Sequence, residues 1–338
     1  MKKVKFALLG ASKISSQHLK AINSLSSHCD LVDVCDINQN ALNEISKTTE
    51  ANLHKDYEEM LSKTDADCIC ITTPSGIHHS HALKAGKAGF DVLVEKPIAT
   101  SLTHAKSLIS YFKKYKKRLF AVKQVRFIES IKILRKALAE ERFGKVHLIN
   151  MNIFLTRPQD YYDSAEWRGT YKFDGGGVLM NQAIHYFDLM QLIGGKPKEI
   201  ISFNETLSRN IEVEDCSVSI IKFKNSSIGS LNASVLAYPR NLETSITVLG
   251  EKGTVKIGGK NLNSFQEWNF KTKRKDDPVL NKDLTFKSGH TYLYEDIISV
   301  YKNKKKKPEV DGEEALKSLK LVLSSYNSSA NKSPVRFK

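Results

Sequence analysis

Apolar residues in the first third of the chain alternate between two spacings. Val4–Leu9 is a compact apolar run of strand length, after which Ile14, His18, Ala21, Ile22 and Leu25 recur at helical spacing. The exchange repeats. A strand at 31–35 precedes a helix at 41–47, and a short helix at 57–61 precedes a buried strand at 68–72. Ala82, Leu83, Ala85 and Ala88 mark a helix, followed by a strand at 92–94, a helix at 102–115 and a strand at 119–122. Strands alternating with helices in this way make a parallel, doubly wound sheet.

Beyond residue 124 the rhythm changes. A helix at 131–140 leads to a strand at 147–154, a loop at 156–177 and a helix at 179–193. Runs with strand spacing follow at 200–204, 217–223, 227–237, 242–249 and 253–257, separated by Gly and Asn turns, and the tail 313–326 is helical. The expected chain is α/β overall. A nucleotide-fold domain occupies 1–123. An α+β domain at 124–338 carries a large, mainly antiparallel, open-faced sheet.

Composition changes this picture little. Of 338 residues, 41% are apolar and 26% charged, ordinary values for a globular protein. The formal charge of +15 is unusual, and much of it lies in two lysine runs, 113–118 and 302–307. The first closes an amphipathic helix, where cations suit the C-terminus, and the second reads as a solvated loop before Pro308. Neither sits on a recognisable nucleic-acid module, so no nucleic-acid partner is expected, while the excess charge favours an anionic substrate. Cys29, Cys35, Cys68, Cys70 and Cys216 lack C-x-x-C spacing and fit a reducing cytoplasm without disulfides. The apolar run Phe6–Leu9 is shorter than the roughly 7–15 residues of a secretory leader, and no run approaches the roughly 18 of a membrane span.

Three segments carry chemistry. Gly10-Ala11-Ser12-Lys13-Ile14-Ser15 lies between the first strand and first helix, where the dinucleotide fingerprint G-x-G-x-x-G belongs. Only the first glycine is present, but Ser12 and Ser15 are small enough for a pyrophosphate to approach the helix N-terminus. Asp36 ends the second strand at about the distance, roughly 20 residues on, of the carboxylate that binds the adenine ribose. It reads either as that group or as a turn residue. A carboxylate there repels a 2′-phosphate, which favours NAD over NADP. The second segment, Val92-Leu93-Val94-Glu95-Lys96-Pro97, places a lysine where an apolar strand stops. In the third, Gly175-Gly176-Gly177 precedes a helix on which Asn181, His185 and Asp188 share a face at spacings of four and three.

In this order, the segments resemble the glucose-fructose oxidoreductase/inositol dehydrogenase/rhizopine catabolism family of sugar dehydrogenases, which implies a Rossmann domain and NAD. The resemblance places Lys96 beside the nicotinamide with Glu95 holding the turn. An oxidised nicotinamide would depress the Lys96 pKa. It makes His185 and Lys96 the acid/base pair on the sugar hydroxyl. Thr73, Pro74 and His78 resemble the family's T-P-N-x-x-H turn, with Ser75 in place of asparagine. Gln124 resembles a nicotinamide contact, so the implied cofactor residues are Gly10, Ser12, Lys13, Ile14, Asp36, Thr73, Pro74, His78, Glu95, Lys96, Gln124, Trp167 and Arg168. Many relatives carry aspartate where Asn181 stands, so base duty is expected to move toward Lys96. No metal is expected.

The loop from Arg157 to Thr170, with Met180-Asn181-Gln182, looks like the branch that oxidises UDP-N-acetylglucosaminuronic acid at C3″ for bacterial surface polysaccharide. Its arginines suit carboxylate or phosphate and its aromatics suit sugar or cofactor faces. The implied substrate contacts are Lys96, Arg126, Arg157, Tyr161, Asn181, Gln182 and His185. The implied partners are a small-molecule UDP-sugar and further copies of the chain, as a homodimer or homotetramer, with no membrane. A dehydrogenase of a free sugar or polyol such as inositol, and a non-catalytic NAD-binding regulator, stand as alternatives.

Overall fold

The computed structural model describes residues 2–285 and 287–337. They form two compact units, residues 2–127 with 287–316, and residues 128–285 with 317–337. Compactness therefore does not follow chain order. The segment 287–316, placed by the sequence reading in the second domain, belongs with the first. Its helix Gly289–Tyr301 buries residues on most sides, including Leu293, Tyr294, Ile297 and Val300, and packs against the helix Ser15–Ser24.

The first unit holds six parallel strands, β1 (Val4–Leu9), β2 (Cys29–Cys35), β3 (Asn52–His54), β4 (Cys68–Ile71), β5 (Asp91–Val94) and β6 (Leu119–Ala121), in the order β3-β2-β1-β4-β5-β6. β4 is buried at every position, as a strand covered on both faces must be. The helices Ser15–Ser24, Gln39–Ser46, His78–Lys87 and Leu102–Lys114 alternate with the strands. The two lysine runs come together. Lys113, Lys117 and Arg118 from one, with Lys306 and Lys307 from the other, line a cavity of about 340 Å³.

The second unit is an eight-stranded sheet of β7 (Val146–Phe154), β8 (Pro197–Glu205), β9 (Cys216–Phe223), β10 (Ile228–Ser234), β11 (Glu243–Gly250), β12 (Gly253–Gly258), β13 (Ser264–Phe270) and β14 (Val335–Arg336). Their order is β13-β12-β11-β7-β10-β9-β8-β14, antiparallel except for β7 with β10. Burial alternates along β9 and β10, so one face is covered and the other open. Leu148, Phe203, Val218, Ile220, Ile228 and Leu249 are exposed. Among the described residues no helix is long and apolar enough to cross a membrane.

Candidate active site

Parallel register decides what lies at the edge of the first sheet. Leu9 pairs with Cys35 and Ile71, Ile71 with Val94, and Val94 with Ala121. The residues that follow these strands, Gly10, Asp36, Thr72 and Glu95, therefore leave the sheet along its carboxyl edge, where open α/β sheets bind ligands. Gly10 has φ +107°, and a Cβ there would stand 2.9 Å from the Thr72 carbonyl, so only glycine makes this turn. Asp36 accepts from the Ala11 N–H at 2.6 Å and the Asn38 N–H at 2.8 Å. It is the turn residue, and two carboxylate oxygens still leave acceptor capacity for a ribose. The helix Ser15–Ser24 opens with neither a capping side chain nor an acid in its first turn, so its N-terminal N–H groups suit a phosphate. Ser12 and Lys13 are exposed and Ile14 half-buried. Tight turn, uncapped helix and strand-end carboxylate fit a dinucleotide.

Thr73 and Pro74 are half-buried beside this edge. His78 is buried, its Nδ1 lying 2.7 Å from the Pro97 carbonyl oxygen and its Nε2 2.7 Å from that of Thr73. Its ring joins the two turns, and burial lowers its pKa although both carbonyls favour the charged form. Glu95 is buried, and its Oε2 accepts the N–H of Lys96 at 2.9 Å, while the Lys96 side chain is half-buried. Gln124 is half-buried on a short 3₁₀ turn. Arg126 is buried and bonded through both terminal nitrogens to Glu314 Oε2 at 3.1 Å. A guanidinium so far from water needs a carboxylate, and Glu314 supplies it.

In the second unit the loop after β7 gathers its cations on one ring. The Arg168 guanidinium carbon lies 4.3 Å from the Tyr161 centroid and 4.5 Å from that of Trp167, and Arg168 Nη1 donates to the Tyr161 hydroxyl at 2.6 Å. Arg157 lies 5.3 Å from the same Tyr161 centroid and donates to the Thr156 carbonyl at 2.8 Å. Neither arginine has a carboxylate partner among the described residues, and Arg168 Nε is buried without a hydrogen-bond acceptor. Two guanidiniums on one aromatic platform, without a carboxylate partner among the described residues, suit an anion.

The helix bearing His185 begins with one π turn, Leu179–Ala183, and continues as Ile184–Gly194. Its entry is tied down by buried carboxylates. Glu214 accepts from Gly177 N–H at 3.0 Å, Leu179 N–H at 2.9 Å and the Tyr326 hydroxyl at 2.9 Å. A Cβ on Gly177 would stand 1.8 Å from the Glu214 carbonyl oxygen, which explains that glycine. Asn181 donates to Asp174 Oδ1 at 2.6 Å, and Asp174 Oδ2 accepts from Gly169 N–H at 2.9 Å. Where the sequence has asparagine rather than aspartate four residues before His185, the fold places the Asp174 carboxylate alongside Asn181. His185 is buried and Gln182 half-buried.

Sequence reasoning missed His18, Tyr294 and His290 around Glu95, and Asp174, Glu214 and Tyr326 around the His185 helix. No local motif marks them: Asp174 bonds Gly169 and Asn181 close by, but the partners of the others lie far away in sequence. His18, Glu95 and His290 are also the kind of trio that holds a metal ion, with ligand atoms all within 4.8 Å of one another.

The oxidoreductase family with an NAD-binding Rossmann fold, Gfo/Idh/MocA, matches at residues 4–123, and its C-terminal alpha/beta domain at 135–337. The chain belongs to this family and is an NAD-dependent dehydrogenase. It is similar to the WlbA dehydrogenase from Bordetella pertussis, solved with NADH and UDP-GlcNAcA. The TM-score is 0.94 and the identity 37%, with 100% of this chain and 99% of that one covered. The WlbA enzyme from Chromobacterium violaceum, solved with the same two ligands, shows 39% identity at TM-score 0.94, covering 100% and 97%. Myo-inositol 2-dehydrogenase of Thermotoga maritima is 22% identical over 98% of both chains.

Proposed function

We propose that this dehydrogenase oxidises the C3″ hydroxyl of UDP-N-acetylglucosaminuronic acid to the 3-keto sugar, for bacterial surface polysaccharide. The observation that carries this reading is the pair of guanidiniums, Arg157 and Arg168, sharing the Tyr161 ring without a carboxylate partner among the described residues. A uronic carboxylate or a diphosphate would satisfy them. The two WlbA structures support it, since both hold NADH and UDP-GlcNAcA.

Bound NAD supplies the hydride acceptor. Gly10, Ser12, Lys13, Ile14, Asp36, Thr73 and Pro74 would hold it. Lys96 and His185 would take the hydroxyl proton and pass it to solvent, and Asn181, positioned by Asp174, and Gln182 would orient the sugar. A second reading, a polyol dehydrogenase, is favoured by the full-length match to the Thermotoga inositol enzyme.

Single-turnover NADH absorbance separates the two. UDP-N-acetylglucosaminuronic acid should reduce bound NAD roughly 10–150-fold faster than UDP-N-acetylglucosamine, the factor for one charge-assisted contact. Arg157→Ala should remove much of that preference. Brisk reduction by free inositol and none by any UDP-sugar would establish the second reading instead.

The exposed apolar residues on the open sheet face favour a homodimer or homotetramer. Light scattering that finds a stable monomer at micromolar concentration would contradict it. Five free cysteines, four of them buried, suit a reducing compartment such as the cytoplasm.

A further inference from the structure

The residue before Lys96 sits at the centre of a buried polar network within the first unit. Glu95 Oε2 accepts the Lys96 backbone N–H at 2.9 Å, so the carboxylate closes a ring on the peptide that carries the lysine. Glu95 Oε1 lies 3.1 Å from His18 Nε2 and 3.4 Å from His290 Nε2. His18 Nδ1 lies 2.8 Å from the Tyr294 hydroxyl, which in turn is 3.3 Å from Cys70 Sγ. Glu95, His18, His290 and Tyr294 are all buried.

Directionality follows from donor counting. An ionised carboxylate only accepts, so both imidazoles must present Nε2–H to Glu95. A neutral His18 then needs a donor at Nδ1, and the Tyr294 O–H is that donor, itself accepting from the Cys70 thiol. Burial lowers the His18 pKa, which keeps the ring neutral and this tautomer in place. Burial alone would push the Glu95 carboxyl up, but hydrogen bonds from the two histidines hold it well below the carboxylate range. The network therefore maintains a charge inside the protein, at a cost that packing alone would not demand. His18 stands 77 positions from Glu95 and His290 195, so three separate segments converge on this one carboxylate.

We propose that His18, His290 and Tyr294 are positioning residues: they keep Glu95 oriented and ionised so that it pins the Lys96 backbone and aims the Lys96 side chain. This rests on the reading of Lys96 as an acid/base group. The reaction gains geometry from it, since an acid/base group displaced by a fraction of an ångström loses rate without losing the cofactor.

The test uses the whole chain with NAD and UDP-N-acetylglucosaminuronic acid. Tyr294→Phe keeps the ring against Phe6, 4.9 Å centroid to centroid, and removes only the hydroxyl. It should lower kcat about 10-fold, the rate equivalent of one hydrogen bond, with KM for NAD within twofold. His290→Gln, which keeps an N–H donor, should retain several-fold more kcat than His290→Leu, a difference that space-filling would not produce. Unchanged kcat in Tyr294→Phe, or equal kcat in the two His290 variants, would overturn the proposal. So would one equivalent of transition metal in the purified wild type that His18→Gln loses, because the trio would then be a metal centre. Lys96→Met is the separate control. If it turns over, the reading of Lys96 fails, whereas an inactive Lys96→Met beside a fully active Tyr294→Phe refutes the positioning role alone.

Discussion

Replacing Glu214 by leucine tests whether one buried carboxylate holds the entry of the His185 helix. Glu214 is 4% exposed and serves three donors, two backbone N–H groups at the helix start and the Tyr326 hydroxyl. Leucine fills similar space but accepts nothing, so all three are stranded away from water. Each stranded donor costs about 1–3 kcal/mol, and local relaxation recovers part, so the loss should be about 4 kcal/mol. Tyr326→Phe strands none of the other donors and should cost about 1–1.5 kcal/mol. In the double variant the tyrosine change should recover about 1 kcal/mol, since it removes the hydroxyl that the leucine strands, which gives a coupling of about 2 kcal/mol. Urea unfolding at constant m reads all four corners of this cycle. The pH dependence is a second signature. Burial raises the Glu214 pKa above its ordinary value of 4.5. Its contribution to stability is therefore fullest below the ordinary value and is lost as pH rises through the raised one. The leucine variant should lack that component. A loss below about 1 kcal/mol for Glu214→Leu, or strict additivity with Tyr326→Phe, would refute the reasoning.

Asp36→Ala should narrow the preference for NAD over NADP, because it removes repulsion toward a 2′-phosphate. It should also loosen the Ala11 and Asn38 turn, costing about 1–2 kcal/mol. Fluorescence titration with both cofactors checks the first effect, and equal affinities in the unmodified protein would sink it. On acidification, His81, whose pKa burial brings from 6.5 down to about 4, refuses a proton that the unfolded chain accepts. His18 and His78 are shifted the same way by burial. Stability should therefore fall as pH drops from about 6.5 toward about 4. Urea midpoints that hold or rise between pH 7 and pH 5 would contradict this.

How much of this was legible beforehand follows from how far apart the interacting residues lie. Alternating strand and helix periods are written within ten-residue windows, so the parallel sheet, the helix after Gly177 and most strands of the second sheet stood in the sequence. The strand ends followed too: Gly10, Asp36, Thr72 and Glu95 are each marked by where an apolar run stops. Elements with weak periods escaped. β3 is a three-residue edge strand with two exposed positions. The helix Gly289–Tyr301 is buried on so many sides that it has no polar face to announce it. The loop from Arg157 to Arg168 could be named as a cluster of cations and aromatics, but only the fold stacks both arginines on Tyr161. Charge compensation was the least legible of all. Whether a charged side chain meets water or a partner depends on residues brought in from elsewhere. Arg126 finds Glu314 188 positions on, and Glu214 finds Tyr326 112 positions on. The sequence by itself determined the periods, the strand ends and the residue types available for chemistry. Tertiary structure decided which of those groups are neutralised, which are aimed and which remain open to a ligand, because burial and hydrogen bonding are properties of neighbours in space.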